Sequence, residues 1–349
     1  MADKELEILC IGNALMDVFA HAESGKDYGL KRPVQHIKME KLSGILSALN
    51  TACPPKNVSP LIICSGGGAA NVAKIAGFLG AKVSFSGAIG AGDFGRSFTE
   101  NLNSAGVELN LAKKPLPTGI CLMLRSGGKT LIAACPSAAR KLSKADISER
   151  DIERARIVVI DGFMLDRPGL VRHVLTLAEK HGTAAALDLS SVSIAAEYAA
   201  KIAGYARRFP IILFMNKAEA SAFHKSLGGG ENKNEKIGLR QISSFLKSQT
   251  KGKDFPLIVV KLGSGGALCF SGGKESRVKT QVKIPRETTG SGDAFCAAFL
   301  TAWVRGMALR ECCALGNEAA GIILAATGTQ PGKSGQKRLA RLIKKNSGH

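Results

Sequence analysis

The sequence predicts an α/β fold: a doubly wound, mostly parallel sheet flanked by helices, with a small β lid beside it. Three observations predict it. From residue 155 onward, apolar strand-like runs alternate with helix-length amphipathic runs, the pattern of βαβ crossovers. The ends of those runs repeatedly carry polar residues, Asp161, Asp188 and Asn216, where an open α/β sheet places its ligands. Between residues 107 and 135, by contrast, three short strand-like runs are separated only by Pro115-Leu116-Pro117 and Ser126-Gly127-Gly128. Turns that tight predict antiparallel pairing and a separate β layer, a natural cover for a site that excludes water.

Taken in order, residues 6–20 read as a buried first strand interrupted by Gly12, Asn13 and Asp17. Asp17 in that apolar frame is a candidate to hold a pair of substrate hydroxyls, or else a turn residue satisfying local backbone. Residues 39–49 form an amphipathic helix that Pro54-Pro55 prevents from continuing. Gly66-Gly67-Gly68 then opens a helix with Asn71 on its first turn, so that backbone and an amide can both approach a ligand. The strand at 83–89 leads into Gly90-Ala91-Gly92-Asp93-Phe94-Gly95, which has the spacing of a dinucleotide fingerprint. The acid that should follow about 20 residues later is missing, because Glu108 comes too early and inside the next strand. These glycines therefore shape a turn, and a dehydrogenase is disfavoured. In the second half, strands at 156–163, 183–189, 210–215 and 257–262 alternate with helices at 168–181, 194–208 and 236–248. A basic strand-like segment at 277–284 precedes Pro285.

Composition excludes several classes. The 349 residues suit one large α/β domain, expected over 1–340 with lid pieces from about 20–40 and 107–135, and a basic C-terminal tail at 333–349. No apolar run approaches the roughly 18 residues of a membrane span, and the first nine residues do not resemble a secretory leader. Nine cysteines, mostly in apolar runs and without a Cys-x-x-Cys pair, read as reduced core thiols of a cytoplasmic protein. The six histidines are scattered, so no zinc site is evident. The net charge of +20 is spread along the chain, with three Tyr and one Trp, and reads as solvated surface that favours anionic substrates rather than as a nucleic-acid face.

The chemistry concentrates in Glu287-Thr288-Thr289-Gly290-Ser291-Gly292-Asp293. A Gly-x-Gly turn at a helix start leaves backbone N–H groups and the positive end of the helix dipole facing an anion. A carboxylate beside a bound phosphate makes chemical sense if Asp293 takes the proton of a hydroxyl that attacks phosphorus; otherwise it only caps the helix. Asn216 and Glu219, three apart after an apolar strand, suit either a hydrated Mg²⁺ or a capping box. Lys261-Leu262-Gly263-Ser264-Gly265-Gly266 is either a plain hairpin or a place where backbone approaches a nucleotide. The small-residue helix around Gly316 and Asn317 suits a flat ring or close helix packing.

The order of these elements resembles the PfkB family of ATP-dependent sugar and nucleoside kinases, with the ribokinase-like fold. Residues 66–95 resemble its first signature and 288–302 its second; Gly12 to Val18, Gly67-Gly68 and Leu315-Gly316-Asn317 are most similar to the adenosine-kinase-like branch. The resemblance implies Asp293 as catalytic base and Gly290, Ser291 and Gly292 as an anion hole. It implies Asn13, Asp17, Gly67, Gly68 and Asn71 at the sugar. It implies Asn216, Lys261, Gly263, Ser264, Gly266 and Asn317 at the nucleotide, and Asn216 with Glu219 linked to Mg²⁺ through water. It also implies ATP as co-substrate and a homodimer formed through the lid. Two departures from the family pattern stand out: Glu287 replaces an Asp, which puts activation by a monovalent cation in question, and Ser291 replaces an Ala. The alternatives are adenosine kinase proper and a non-catalytic sugar- or nucleotide-binding regulator; retention of Asp293, Asn216 and Glu219 argues against the latter.

Overall fold

The computed structural model describes residues 4–22, 28–49, 61–229, 241, 244, 257–272, 274–280, 289–325 and 331–346. Two sheets organise them. The large sheet holds β1 (Leu6–Ile11), β5 (Val83–Gly90), β6 (Val107–Lys114), β9 (Ala155–Asp161), β10 (Ala184–Asp188), β11 (Ile211–Asn216), β12 (Leu257–Lys261), β13 (Ala267–Ser271) and β14 (Lys274–Val278). Its order is β14-β13-β12-β11-β10-β9-β1-β5-β6. The pairings from β6 across to β12 are parallel, and β13 and β14 add an antiparallel edge. The mostly parallel doubly wound sheet is therefore as expected.

Side chains of the central strands are buried on both faces. Along β11, Ile212 and Phe214 point into one core, and Ile211, Leu213 and Met215 into the other. Successive residues of a strand face opposite sides, so a strand covered on both faces has to be continuously apolar. On the first face lie α2 (Gly68–Phe78), α9 (Ser291–Val304), α10 (Leu309–Leu324) and α11 (Lys333–Asn346). The other face is covered by α5 (Leu170–Lys180), α6 (Val192–Glu197), α7 (Ala199–Arg208) and α8 (Lys217–Ser226). Between strands and outer helices, α9 is buried almost all round from Ala294 to Ala302, which explains its lack of a polar face.

The second sheet, in the order β3-β8-β7-β2-β4, comprises β2 (Leu15–His21), β3 (Val34–His36), β4 (Ile62–Gly66), β7 (Thr118–Ser126) and β8 (Lys129–Ser137). It packs a small core of its own against α1 (Met39–Leu49), with Val18, Leu42, Leu122 and Leu124 inside.

Several expectations need correction. Residues 6–20 are two strands rather than one: the chain leaves the large sheet at Ile11 and enters the small one at Leu15. The Gly12-Asn13-Ala14 step is the crossing between them. The 107–114 strand is not part of the lid; it pairs parallel with β5 at the edge of the large sheet, because the chain reaches it through α3 (Asp93–Asn103), a right-sized crossover. The helix expected at 194–208 is α6 and α7, separated at Tyr198. The basic C-terminal segment forms α11, which buries Leu339, Leu342 and Ile343 in the main core while Lys333, Lys337, Arg338 and Arg341 stay exposed. The helix expected at 236–248 lies outside the described residues apart from 241 and 244, as do Pro285, Glu287 and Thr288.

Candidate active site

The carboxyl end of β1 is where strand order reverses, with β5 and β6 on one side and β9 to β12 on the other. Ligand crevices form at such points. Two helix N-termini, those of α2 and α9, lie side by side there.

Gly290 adopts a left-handed conformation (φ +79°) and turns the chain into α9. Asp293 is the third residue of that helix. Its Oδ2 accepts a hydrogen bond of 2.9 Å from Nδ2 of Asn71, on the first turn of α2. Burial pushes the Asp293 carboxyl up to about 7; the negative charges of Asp188 and Asp161 add to this, while Asn71 and the Lys261 cation oppose it. A carboxyl that is half ionised near neutral pH is matched to taking a proton from a hydroxyl.

Asp17 sits on β2 and is 5% exposed. Burial pushes it up to about 7, Lys74 pulls it down and Asp293 raises it. A Cβ on Gly66 would fall directly on the Asp17 carboxylate. Gly67 caps α2 at φ +97°, where a side chain would also meet the Asn13 carbonyl. Glycine is thus required on both counts: for the left-handed turn and for close approach. Asn13 is buried, and its Oδ1 accepts from Arg167 Nη2 at 2.6 Å, so its remaining polar group is the amide NH2, a donor. Asn13, Asp17, Gly67, Gly68 and Asn71 are therefore brought together around Asp293.

Below the Gly290–Gly292 turn lies a partly buried ion pair. Lys261 Nζ is 2.6 Å from Asp188 Oδ2, and the Cys296 thiol donates to the same oxygen at 3.1 Å. Burial alone would lower the Lys261 pKa; Asp188, with help from Cys296 and Glu219, more than reverses this and holds it above its ordinary value. A Cβ on Gly292 would sit 3.4 Å from Lys261 Nζ. The ammonium therefore lies against the glycine turn itself.

Asn216 and Glu219 form the capping box of α8. Asn216 Oδ1 accepts from Glu219 N at 2.9 Å, and Glu219 Oε2 accepts from Asn216 N at 2.8 Å. Nδ2 of Asn216 donates to the other Glu219 oxygen at 2.6 Å. Burial raises the Glu219 pKa, and the Asp188 charge raises it further. Both Glu219 oxygens already accept a bond, and no group of three or more His, Cys, Asp or Glu converges among the described residues. That donor set fits a magnesium ion held through its own waters and the phosphates of a nucleotide, as that ion prefers, and does not fit direct ligation by a cage of side chains.

Gly263, Ser264 and Gly266 make the β12–β13 turn, closed by Leu262 N–H to Gly266 C=O at 2.8 Å. The hairpin reading is realised there. A Cβ on Gly266 would fall on the Val278 carbonyl, and Asn317 Nδ2 donates to that same carbonyl at 3.3 Å. Gly266 and Asn317 thus meet at β14. Gly316 is bare because the Phe295 ring packs on it, so close helix packing accounts for that position.

Four further residues at the site lie outside the expected set. In the sequence, Asp161 and Asp188 read only as polar strand ends. Lys74, 1% exposed, donates from α2 to Ser65 O at 2.9 Å and Ser65 Oγ at 3.1 Å, tying the helix to lid strand β4. A lysine inside Ala-Asn-Val-Ala-Lys-Ile-Ala was the available signal. Arg167, also buried, joins Asn13 to the Ala139 carbonyl just beyond the lid; nothing in its local sequence marks it.

Residues 62–334 match the model of the pfkB family of carbohydrate kinases. The chain belongs to that family. Membership makes it a carbohydrate kinase of the pfkB family, a class that implies ATP as co-substrate. Adenosine kinase 1 of Arabidopsis thaliana is 25% identical over 283 residues, covering 77% of this chain and 81% of that protein. The bifunctional protein HldE of a Shewanella strain is 24% identical over 275 residues, and there the chain spans about half (52%) of the relative. Among solved structures, an adenosine kinase from Sinorhizobium meliloti superposes with a TM-score of 0.82 at 24% identity, covering 98% of this chain and 99% of that one. A probable sugar kinase from Rhizobium etli gives 0.83 at 22%, covering 99% of each. At these identities the two structures establish the shared ribokinase-like fold. No described helix of this pfkB-family kinase is long and apolar enough to cross a membrane.

Proposed function

We propose that this kinase transfers the γ-phosphoryl group of ATP to a hydroxymethyl group of a sugar or nucleoside, with Asp293 as general base. The observation that carries the reading is the Asp293 carboxyl itself, held by Asn71 at the junction of two helix N-termini and pushed up to about 7 by burial. In this reading Asp17, the Asn13 amide, Asn71 and the Gly67-Gly68 backbone orient the acceptor. Asp293 takes the hydroxyl proton as the oxygen bonds to phosphorus and the bond to the ADP oxygen breaks. The Gly290–Gly292 turn and the Lys261 ammonium stabilise the charge on the transferred group, where most of the catalysis of phosphoryl transfer lies. Magnesium, held through water on the Asn216 and Glu219 side, would supply charge neutralisation at the nucleotide phosphates. Gly263, Ser264, Gly266 and Asn317 line the way to the nucleotide.

A nucleoside acceptor is favoured by the relatives named adenosine kinase. The deciding test is a panel of adenosine, inosine, ribose and fructose, plus a control without acceptor, with coupled detection of ADP. Acceptor-dependent ADP release that needs Mg·ATP is expected for at least one compound. No phosphorylation of any of them would revive the non-catalytic regulator.

A further inference from the structure

Cys296 lies one turn beyond Asp293 on α9 and is fully buried. Of residues 294–302, only Cys296 and Thr301 have side chains that can hydrogen-bond. Thr301 bonds within its own helix, to the Ala297 carbonyl at 2.7 Å. Cys296 reaches outside it. Its thiol donates to Asp188 Oδ2 at 3.1 Å, and Lys261 Nζ donates to its sulfur at 3.7 Å. Burial pushes the thiol pKa well above its ordinary value, so the sulfur keeps its proton and remains a donor. The reaction described above makes no use of this thiol, and an alanine or valine would serve packing alone.

Asp188 closes the triangle. Its Oδ1 accepts from the Ser190 N–H at 3.1 Å, and its Oδ2 takes both Lys261, at 2.6 Å, and Cys296. The Lys261 ammonium also lies against Gly292, where a Cβ would come within 3.4 Å of it. It therefore stands between two anions: the Asp188 carboxylate behind it, and the phosphoryl group that the glycine turn would hold in front. A lysine held too firmly by the carboxylate contributes less to the phosphate. Were Lys261 the sole donor to Oδ2, each movement of the ammonium toward the phosphate would strip a partly buried carboxylate oxygen of its partner, which is costly. Cys296 removes that cost, because its S–H stays on Oδ2 when the ammonium turns away.

Resting on the kinase reading above, we infer that Cys296 is a positioning residue for phosphoryl transfer, whose thiol keeps Asp188 Oδ2 partnered and so frees the Lys261 ammonium to follow the charge on the transferred group. The thiol touches neither substrate nor the reacting atoms. It acts through Asp188 and Lys261, and its effect is felt in the transition state, where the charge moves.

Three variants separate donor from packing. Cys296→Val removes the donor and fills the space, Cys296→Ala removes it and leaves room, and Cys296→Ser keeps a donor. With the best acceptor of the panel, both apolar variants should lower kcat about 3- to 10-fold, the worth of one ordinary hydrogen bond. KM for the acceptor should stay unchanged, and Cys296→Ser should recover most of the lost kcat. In a Lys261→Met background, Cys296→Val should lower kcat no further, since the thiol acts through that lysine. Native kcat in the apolar variants, a serine variant no better than they are, or a full second loss on top of Lys261→Met overturns the inference. Should neither apolar variant fold, infrared spectroscopy of the native enzyme decides. The S–H band absent from Cys296→Ser should move to lower frequency on addition of magnesium and a non-hydrolysable ATP analogue, as the thiol takes over Oδ2, and a band that does not move overturns the inference. Failure of the underlying kinase reading looks different: the unmodified protein would then phosphorylate nothing in the panel.

Discussion

Asn71 and Asp293 are 222 positions apart in the chain, and their side chains meet at 2.9 Å. Each stands on the first turn of its own helix. The bond ties the helix after the first glycine cluster to the helix after the last one, and so holds the proposed base against the proposed acceptor-binding residues.

If Asp293 takes the proton, Asp293→Asn keeps the shape and the contact with Asn71 but removes the base. Turnover should fall by about 10²- to 10⁴-fold, the usual contribution of a positioned general base. ATP affinity, measured by calorimetry, should be nearly unaffected. Turnover close to native would remove Asp293 from this role.

The acid limb of kcat/KM should have its midpoint near 7, because burial pushes both Asp293 and Asp17 up to about 7. The Asp293 charge raises Asp17, so the limb reflects both carboxyls. Lys74 opposes the burial of Asp17. Lys74→Gln should therefore move the limb to higher pH in a pH–rate profile, and a shift to lower pH would contradict this electrostatic account.

The same shift carries a stability cost. The folded Asp293 carboxyl titrates near 7, above the roughly 3.9 of an unfolded aspartate, so between these values the folded state binds more protons. Stability contributed by this group consequently falls as pH rises through that window. Asp293→Asn should be more stable than the native protein at pH 8, on the order of 1 kcal/mol or more, with the gap closing below pH 4. Urea titrations at the two pH values measure it.

Lys261→Met should destabilise the fold by about 1–3 kcal/mol, because the partly buried Asp188 carboxylate loses its cation. The double variant with Asp188→Asn should recover a large part of that loss in denaturant titration. Equal stability of single and double variants would mean that Asp188 finds another partner.

The hairpin at Gly263–Gly266, the glycine-opened helices and the alternating second half were legible because their signals are local: turn chemistry, apolar periodicity and strand length. Asp293, Asn71, Asp17 and the Asn216–Glu219 pair were legible from their motifs. Lys74 and Arg167 were not read, since a charged residue in an apolar or loop segment has no meaning until its partner is known, and Ser65 and Asn13 are brought to them by tertiary packing. The strand at 107–114 pairs parallel with β5, which its sequence does not reveal because short strands look alike whether they pair parallel or antiparallel.

By itself, the sequence determined the α/β class, the order of the elements and the residue types of the candidate site, since backbone preference and side-chain chemistry are properties of short stretches. Only the tertiary structure decided that β1 and β2 belong to different sheets, that Lys261 lies under Gly292, and that the base shares the space over Gly68 with Asp161. Those relations join residues far apart in the chain. They arise from how the strands order themselves around the switch point, and burial at that point is also what moves the carboxyl pKa values toward neutrality.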